Sequence, residues 1–303
     1  VTGELDRLLE SLEGVVTSRE LAGAGLGHTA ITATVRGGRL RRIAQGLYAD
    51  TSAWEGAPPW ERYRMRVRAM LRVHPAWVAS HHAALTLHGL PLHGVDLDVV
   101  DVAATVRTSS RRPGVHVHRL QPHHVPLLEF RPRALPPALA CVLVAAASGV
   151  EAGVVSMDAA LHREACTPKD LEAALAHPGT RYGRPSARAA VARTDGLSES
   201  PGESRTRLLL STLGVEVRSQ VDIRDATGFI GRVDFLVAGR VVVEFDGAVK
   251  YAGADGQEAL LREKRREERL RDAGYRVVRI TWDELSRPAA LLARITAAVA
   301  LAA

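Results

Sequence analysis

The chain has 303 residues, 46% of them hydrophobic, which is more than one core ordinarily holds, so two or three packed units are expected. A formal charge of +6 and a pI near 9.8 suit a polyanionic partner, because Arg and Lys that neutralise phosphates release counterions. Cys141 and Cys166 have no metal-binding spacing, the apolar run 138–150 is too short for a bilayer, and no apolar leader opens the sequence. A disulfide framework, a cysteine zinc site and a membrane span are therefore not expected, and the expectation is a soluble cytoplasmic protein.

Residues 4–13 place Leu5, Leu8, Leu9 and Leu12 at helical spacing. Val16-Thr17-Ser18 then offers an N-cap hydroxyl to a second short helix, and Gly25 and Gly27 break the chain before a third at about 29–36. The three glycines Gly23, Gly25 and Gly27 lack Rossmann or Walker spacing and read as turn residues. After Gly37-Gly38, the stretch Leu40 to Tyr48 alternates around Gly46 as a β-hairpin. This order is that of a winged helix-turn-helix, whose third helix enters a major groove. Arg36, Arg39, Arg41 and Arg42 lie at the end of that helix and on the wing, where phosphate contacts belong.

The residues Val16-Thr17, Gly38-Arg39-Leu40, Arg42 and Gly46-Leu47-Tyr48 resemble the N-terminal winged-helix domain of the abortive-infection antitoxin family AbiEi. The resemblance implies DNA binding, and a toxin partner or a homodimer.

From 60 to 90 the pattern is helical, with Trp60–Val73 rich in arginine and Trp77–Leu90 carrying His81-His82. Strand alternation follows at 97–103 and 115–120 around a polar turn, and helices resume at 138–148, 153–162 and 168–176. This region resembles the connecting module that accompanies AbiEi-type winged helices in actinobacterial proteins. Its histidines (His81-His82, His116 with His118, His123-His124) raise a metal site. Adjacent helical histidines diverge, and the i, i+2 strand pair lacks a third and fourth ligand in the sequence, so no zinc site is expected.

Residues 179–199 shift to Gly, Pro, Ser and Arg and read as a linker, with room for a short helix at 186–193. A helix at 203–213 precedes strands at 215–223 and 229–237, then Gly239-Arg240 turns into Val241-Val242-Val243-Glu244-Phe245-Asp246. Three consecutive valines mark a strand buried on both faces. Asp234 inside an apolar strand, with Glu244 and Asp246 two residues apart on the next, gathers carboxylates on adjoining strands, and a divalent cation is the simplest compensation. A helix at 257–273 puts Glu263 and Glu267 on the side of Leu260 and Leu270, with Lys264 at its margin. Its Arg262, Arg265 and Arg269 form a basic face that pairs with glutamates or grips phosphates. A buried strand at 275–280 leads to Trp282, which is expected in the core.

The residues Glu203-Ser204, Arg207, Arg232 to Phe235, Val243 to Gly247, Lys250-Tyr251, Glu263 to Arg266, Gly274 to Arg279 and Trp282 resemble the PD-(D/E)XK nuclease superfamily, and within it the very-short-patch-repair (Vsr-like) endonucleases. The resemblance implies that Asp234 and Glu244 bind Mg²⁺ (or Mn²⁺), that Asp246 is a further ligand or water positioner, and that Glu203 is an outer acid. Asp246 stands where the superfamily has lysine, and Lys250 or Lys264 would supply that charge. The expected fold class is a multidomain α+β chain. It comprises a winged helix-turn-helix at 1–55, a mixed α/β module at 56–178, the linker at 179–199, and an α/β restriction-endonuclease-like domain with a C-terminal helix at 200–303. The expected function is a metal-dependent endonuclease acting on DNA; the alternative is a non-catalytic DNA-binding regulator or antitoxin with a silent nuclease fold.

Overall fold

Helix periodicity and turn chemistry set the elements of the computed structural model, which describes residues 2–120, 133–176, 180–247 and 254–302. Lys250, Tyr251 and the pair His123-His124 lie outside the described residues. The chain forms two compact units, Val1–Gly153 with Pro168–Ala187 and Val154–Thr167 with Arg188–Ala303. No helix among the described residues is long and apolar enough to cross a membrane.

The first unit opens with α1 (Thr2–Ser11), β1 (Val15–Thr17), α2 (Ser18–Gly23) and α3 (His28–Arg36), followed by β2 (Leu40–Ala44) and β3 (Leu47–Asp50). Thr17 starts α2 as its N-cap, accepting from Glu20 N while the Glu20 carboxylate accepts from Thr17 N. This reciprocal capping box satisfies two donors that a six-residue helix would otherwise leave bare. The sheet runs β1-β3-β2, all antiparallel, with Gly46 at φ +70° in the tip between β2 and β3. Leu5, Leu9, Val16, Leu21, Leu26, Ile31 and Leu40 form the core beneath the helices. The opposite side of the sheet, Val15, Leu47 and Ala49, packs on Trp54 of α4 (Thr51–Gly56) and on Met65 and Ala69 of α5 (Pro59–Val73).

The rest of this unit holds β4 (Val78–Ala79), α6 (His81–Leu87), β5 (Val100–Ala104), β6 (Ser110–Arg112), β7 (Val115–Arg119) and α7 (Pro137–Ser148). The strands form a second sheet in the order β4-β5-β7-β6, with β5 and β7 parallel. The polar turn expected at 107–114 contains β6, a three-residue strand too short to show alternation. The helix expected across 77–90 begins only at His81, because Val78–Ala79 is taken up by pairing with β5.

Beyond α8 (Val150–His162), α9 (Pro168–Leu175) and α10 (Arg184–Val191), the second unit is built on α11 (Pro201–Leu210), β8 (Val217–Asp225), β9 (Gly228–Val237) and β10 (Val241–Phe245). It ends with α12 (Ala254–Asp272), β11 (Arg276–Ile280), α13 (Trp282–Leu285) and α14 (Pro288–Ala300). The sheet order is β11-β10-β9-β8, with β10 parallel to β11 and antiparallel to β9. Val241, Val242 and Val243 are fully buried, as a two-sided central strand requires. One face, with Phe235, Val241, Val243 and Ile280, packs on Leu210, Leu285, Leu291 and Ile295; the other, with Val233, Leu236 and Val242, packs on Leu270 of α12.

Candidate functional site

The winged helix offers one exposed surface from α3 and the β2–β3 wing. His28, Thr29, Ala33 and Arg36 of α3 are exposed, while Ile31 holds the helix to the core. Arg36 and Arg42 have no carboxylate partner among the described residues, and Arg42 Nε donates only to Ala44 O at 3.4 Å. Arg41 is exposed and reaches Glu55 at 3.3 Å, a solvated pair that phosphate can displace. Arg39 differs. It donates to Asp6 at 2.6 Å and to the buried Asp50, tying α1 to the end of β3.

In the second unit, continuing the β9–β10 register past Val243↔Phe235 sets Asp234 opposite Glu244. Directly opposed residues of an antiparallel pair share a face. Asp234 Oδ2 accepts from Phe245 N at 2.8 Å. Burial pushes its carboxyl up to about 7, and the negative charges of Glu203 and Glu244 add to the rise against the Phe245 N–H and the Arg266 charge. Glu203, in the first turn of α11, is buried and saturated. Its carboxylate accepts from Ser200 Oγ (2.7 Å), Glu199 N (2.9 Å) and Gln220 Nε2 (3.0 Å). Gly202 permits this placement, since a Cβ there would stand 2.1 Å from the Phe245 ring.

Among the described residues the cations at this site are Arg266 and Arg279, not Lys264. Arg266 crosses from α12 over Gly231, where a Cβ would meet its Nε at 2.6 Å. It donates to Glu244 at 2.6 Å, to Glu263 at 3.1 Å and to Arg232 O at 2.9 Å. Arg279 donates to Glu263 at 2.5 Å and pairs with Glu267 at 3.1 Å. The inward glutamates of α12 thus meet arginines. Lys264 points to solvent, 4.0 Å from Glu268, and supplies no charge to the acids. Arg265 is exposed on the outer face, as expected. Arg269 makes no helical pair but grips Asp225 through two nitrogens at 2.8 and 2.9 Å. Trp282, expected in the core, is 44% exposed, edge-on to Phe245 with the Arg205 guanidinium 5.9 Å above its ring.

Asp234, Glu244 and Asp246 do not gather as a three-ligand cage. Among the described residues no acidic trio here has donor atoms within 4.8 Å of one another, and Glu244 is committed to Arg266. Asp246 leaves the strand with its N–H on Ile280 O at 2.7 Å. Arginine partners were invisible to helical projection, which assigns a side to each residue but not the strand residue it meets.

Residues 4–49 match the family described as "Transcriptional regulator, AbiEi antitoxin". The chain is also similar to two proteins described as uncharacterized from Mycobacterium tuberculosis, one from strain CDC 1551 / Oshkosh and one from strain ATCC 25618 / H37Rv. Each is 32% identical over 165 residues, 54% of this chain and 60% of the relative. The chain therefore spans 60% of the length of these relatives.

Proposed function

We propose that the protein is a DNA-binding transcriptional regulator of the AbiEi antitoxin type, which docks α3 and the wing on duplex DNA and acts with a partner toxin. The carrying observation is that the residues of the family match, 4–49, include the exposed helix and wing whose Arg36 and Arg42 lack carboxylate partners among the described residues. Helix N-terminal groups such as Thr29 face base edges in this docking mode, and the arginines at the helix end and wing meet phosphates. The test is duplex binding to DNA from the region upstream of the protein's own coding sequence, measured across salt. Arg36→Ala and Arg42→Ala are each expected to weaken binding to all sequences alike and to lower the salt slope by about 1. Unchanged binding in both variants removes the proposal.

A nuclease reading retains one observation in its favour, the burial of Asp234, which with the nearby Glu203 and Glu244 charges raises its carboxyl to about 7. Plasmid and mismatched duplex incubated with the protein and Mg²⁺ or Mn²⁺, beside Asp234→Ala and Glu244→Ala, discriminate the two. Cleavage by the wild type alone supports catalysis. No cleavage, or equal cleavage by all three proteins, leaves the regulator.

A further inference from the structure

The first unit contains a histidine cluster that neither the winged helix nor the acidic site uses. His81 opens α6, Asp101 lies in β5, and His118 lies in β7, which pairs in parallel with β5. One donor atom from each lies within 4.8 Å of the other two, and side-chain rotation that draws them to about 3.4 Å apart would match tetrahedral metal bonds of about 2.0–2.2 Å. The three residues line a cavity of 280 Å³ together with His82, His116 and Arg111.

The ligand that the sequence withheld is Asp101. It is an acid in a strand whose five residues are all buried, Val100-Asp101-Val102-Ala103-Ala104. His118 Nε2 stands 2.5 Å from Asp101 Oδ1, His116 Nδ1 3.4 Å from the same oxygen, and His82 Nδ1 3.2 Å from Oδ2. The rings of His81 and His118 stack with centroids 4.2 Å apart, and the His116 ring is tilted 40° to that of His118 with centroids 3.9 Å apart.

Two further features point the cluster at an ion. His81 holds φ +46°, a left-handed conformation that a non-glycine residue adopts at a cost, and its Nδ1 is fixed on Ser80 Oγ at 2.8 Å. That leaves Nε2 as the available donor. His82 Nε2 faces two carbonyls, Asp96 O at 3.0 Å and Val99 O at 2.9 Å, which only accept. The hydrogen is therefore on Nε2, and His82 packs beside Asp101 with its Nδ1 3.2 Å from Oδ2.

We propose that His81, Asp101 and His118 bind a divalent transition-metal ion of the zinc class, with His116 beside the fourth position. Two imidazoles and a carboxylate are a donor set suited to such ions.

The test strips the full chain with a chelator and titrates it with Co²⁺, then displaces the Co²⁺ with Zn²⁺. The wild type is expected to take up one equivalent with a visible ligand-field band that Zn²⁺ abolishes. His118→Gln and Asp101→Asn, checked for native circular dichroism, are expected to bind more weakly by about 100-fold or more. Absence of binding by the wild type, or equal binding by the folded variants, overturns the proposal. Should both variants unfold, X-ray absorption of the zinc-loaded wild type decides: two imidazoles with oxygen donors uphold the site, whereas a sulfur-containing or all-oxygen shell overturns it.

Discussion

At the scale of single residues, Asp234 converts its surroundings into a pH dependence of stability. An unfolded aspartate titrates near about 3.9, whereas the folded carboxyl titrates at about 7 because it is buried beside Glu203 and Glu244. Between these values the folded chain keeps a proton that the unfolded chain has released. The contribution of this residue is therefore greatest below the unfolded value, falls as pH rises through 7, and is level above it. Asp234→Asn keeps an oxygen for the Phe245 N–H and removes the ionisation. It is expected to stabilise the protein at pH 8 by about 1–3 kcal/mol, discounted for partial solvent access, and to have little effect at pH 4. Urea melts at the two pH values measure this, and equal effects at both would contradict it. Arg207 presents the opposite case. Its guanidinium donates at 2.7 Å to Asp158, which is fully buried and also accepts from Thr194 Oγ1 and Asp195 N. Arg207→Ala strands that carboxylate and is expected to cost about 3–5 kcal/mol in a denaturant melt. Asp234 and Glu244 were legible in the sequence because acids inside apolar strands stand out. Arg266 and Asp101 were not, since each acquires its role only from residues far away in the chain.

Among elements, the long ones were legible and the short ones were not. The periodic segments at 59–73, 137–148, 150–162 and 201–210 are helices, and the valine run is a central strand, as their patterns imply. By contrast β1, β4 and β6 have two or three residues each, too few for alternation to register, and they exist because a neighbouring strand supplies the pairing. The capping box of α2 was half visible: Thr17 and Ser18 were both candidate N-caps, and Glu20 at N3 selects Thr17. Thr17→Ala is expected to cost about 1 kcal/mol, read as a lowered melting temperature. Close packing between elements gives a stronger prediction. Gly202→Ala drives a methyl into the Phe245 ring, which rests on both α11 and β10, so the helix that carries Glu203 must shift. The expected loss is about 1–3 kcal/mol, and a melt unchanged within error would mean that Phe245 has room to turn away.

For the whole molecule, a net charge of +6 by itself predicts salt-dependent association with any duplex, and that alone does not say which surface binds. Arg266, Arg269 and Arg279 of the second unit are spent on Glu244, Asp225, Glu263 and Glu267, whereas among the described residues Arg36 and Arg42 of the winged helix have no carboxylate partner, and neither do the exposed Arg224, Arg240, Arg265 and Arg276 of the second unit, so two surfaces compete for the duplex. If the winged helix supplies the phosphate contacts, Arg36→Ala with Arg42→Ala lowers the slope of log K against log salt by about 2, and Asp234→Asn leaves it unchanged. If instead the second unit grips the duplex beside its acids, neutralising Asp234 removes repulsion of phosphate and tightens binding at low salt, while the paired arginine variant keeps its slope. Binding isotherms of the three proteins between 50 and 200 mM salt, a range of about fourfold over which several phosphate contacts change affinity by orders of magnitude, separate the two outcomes.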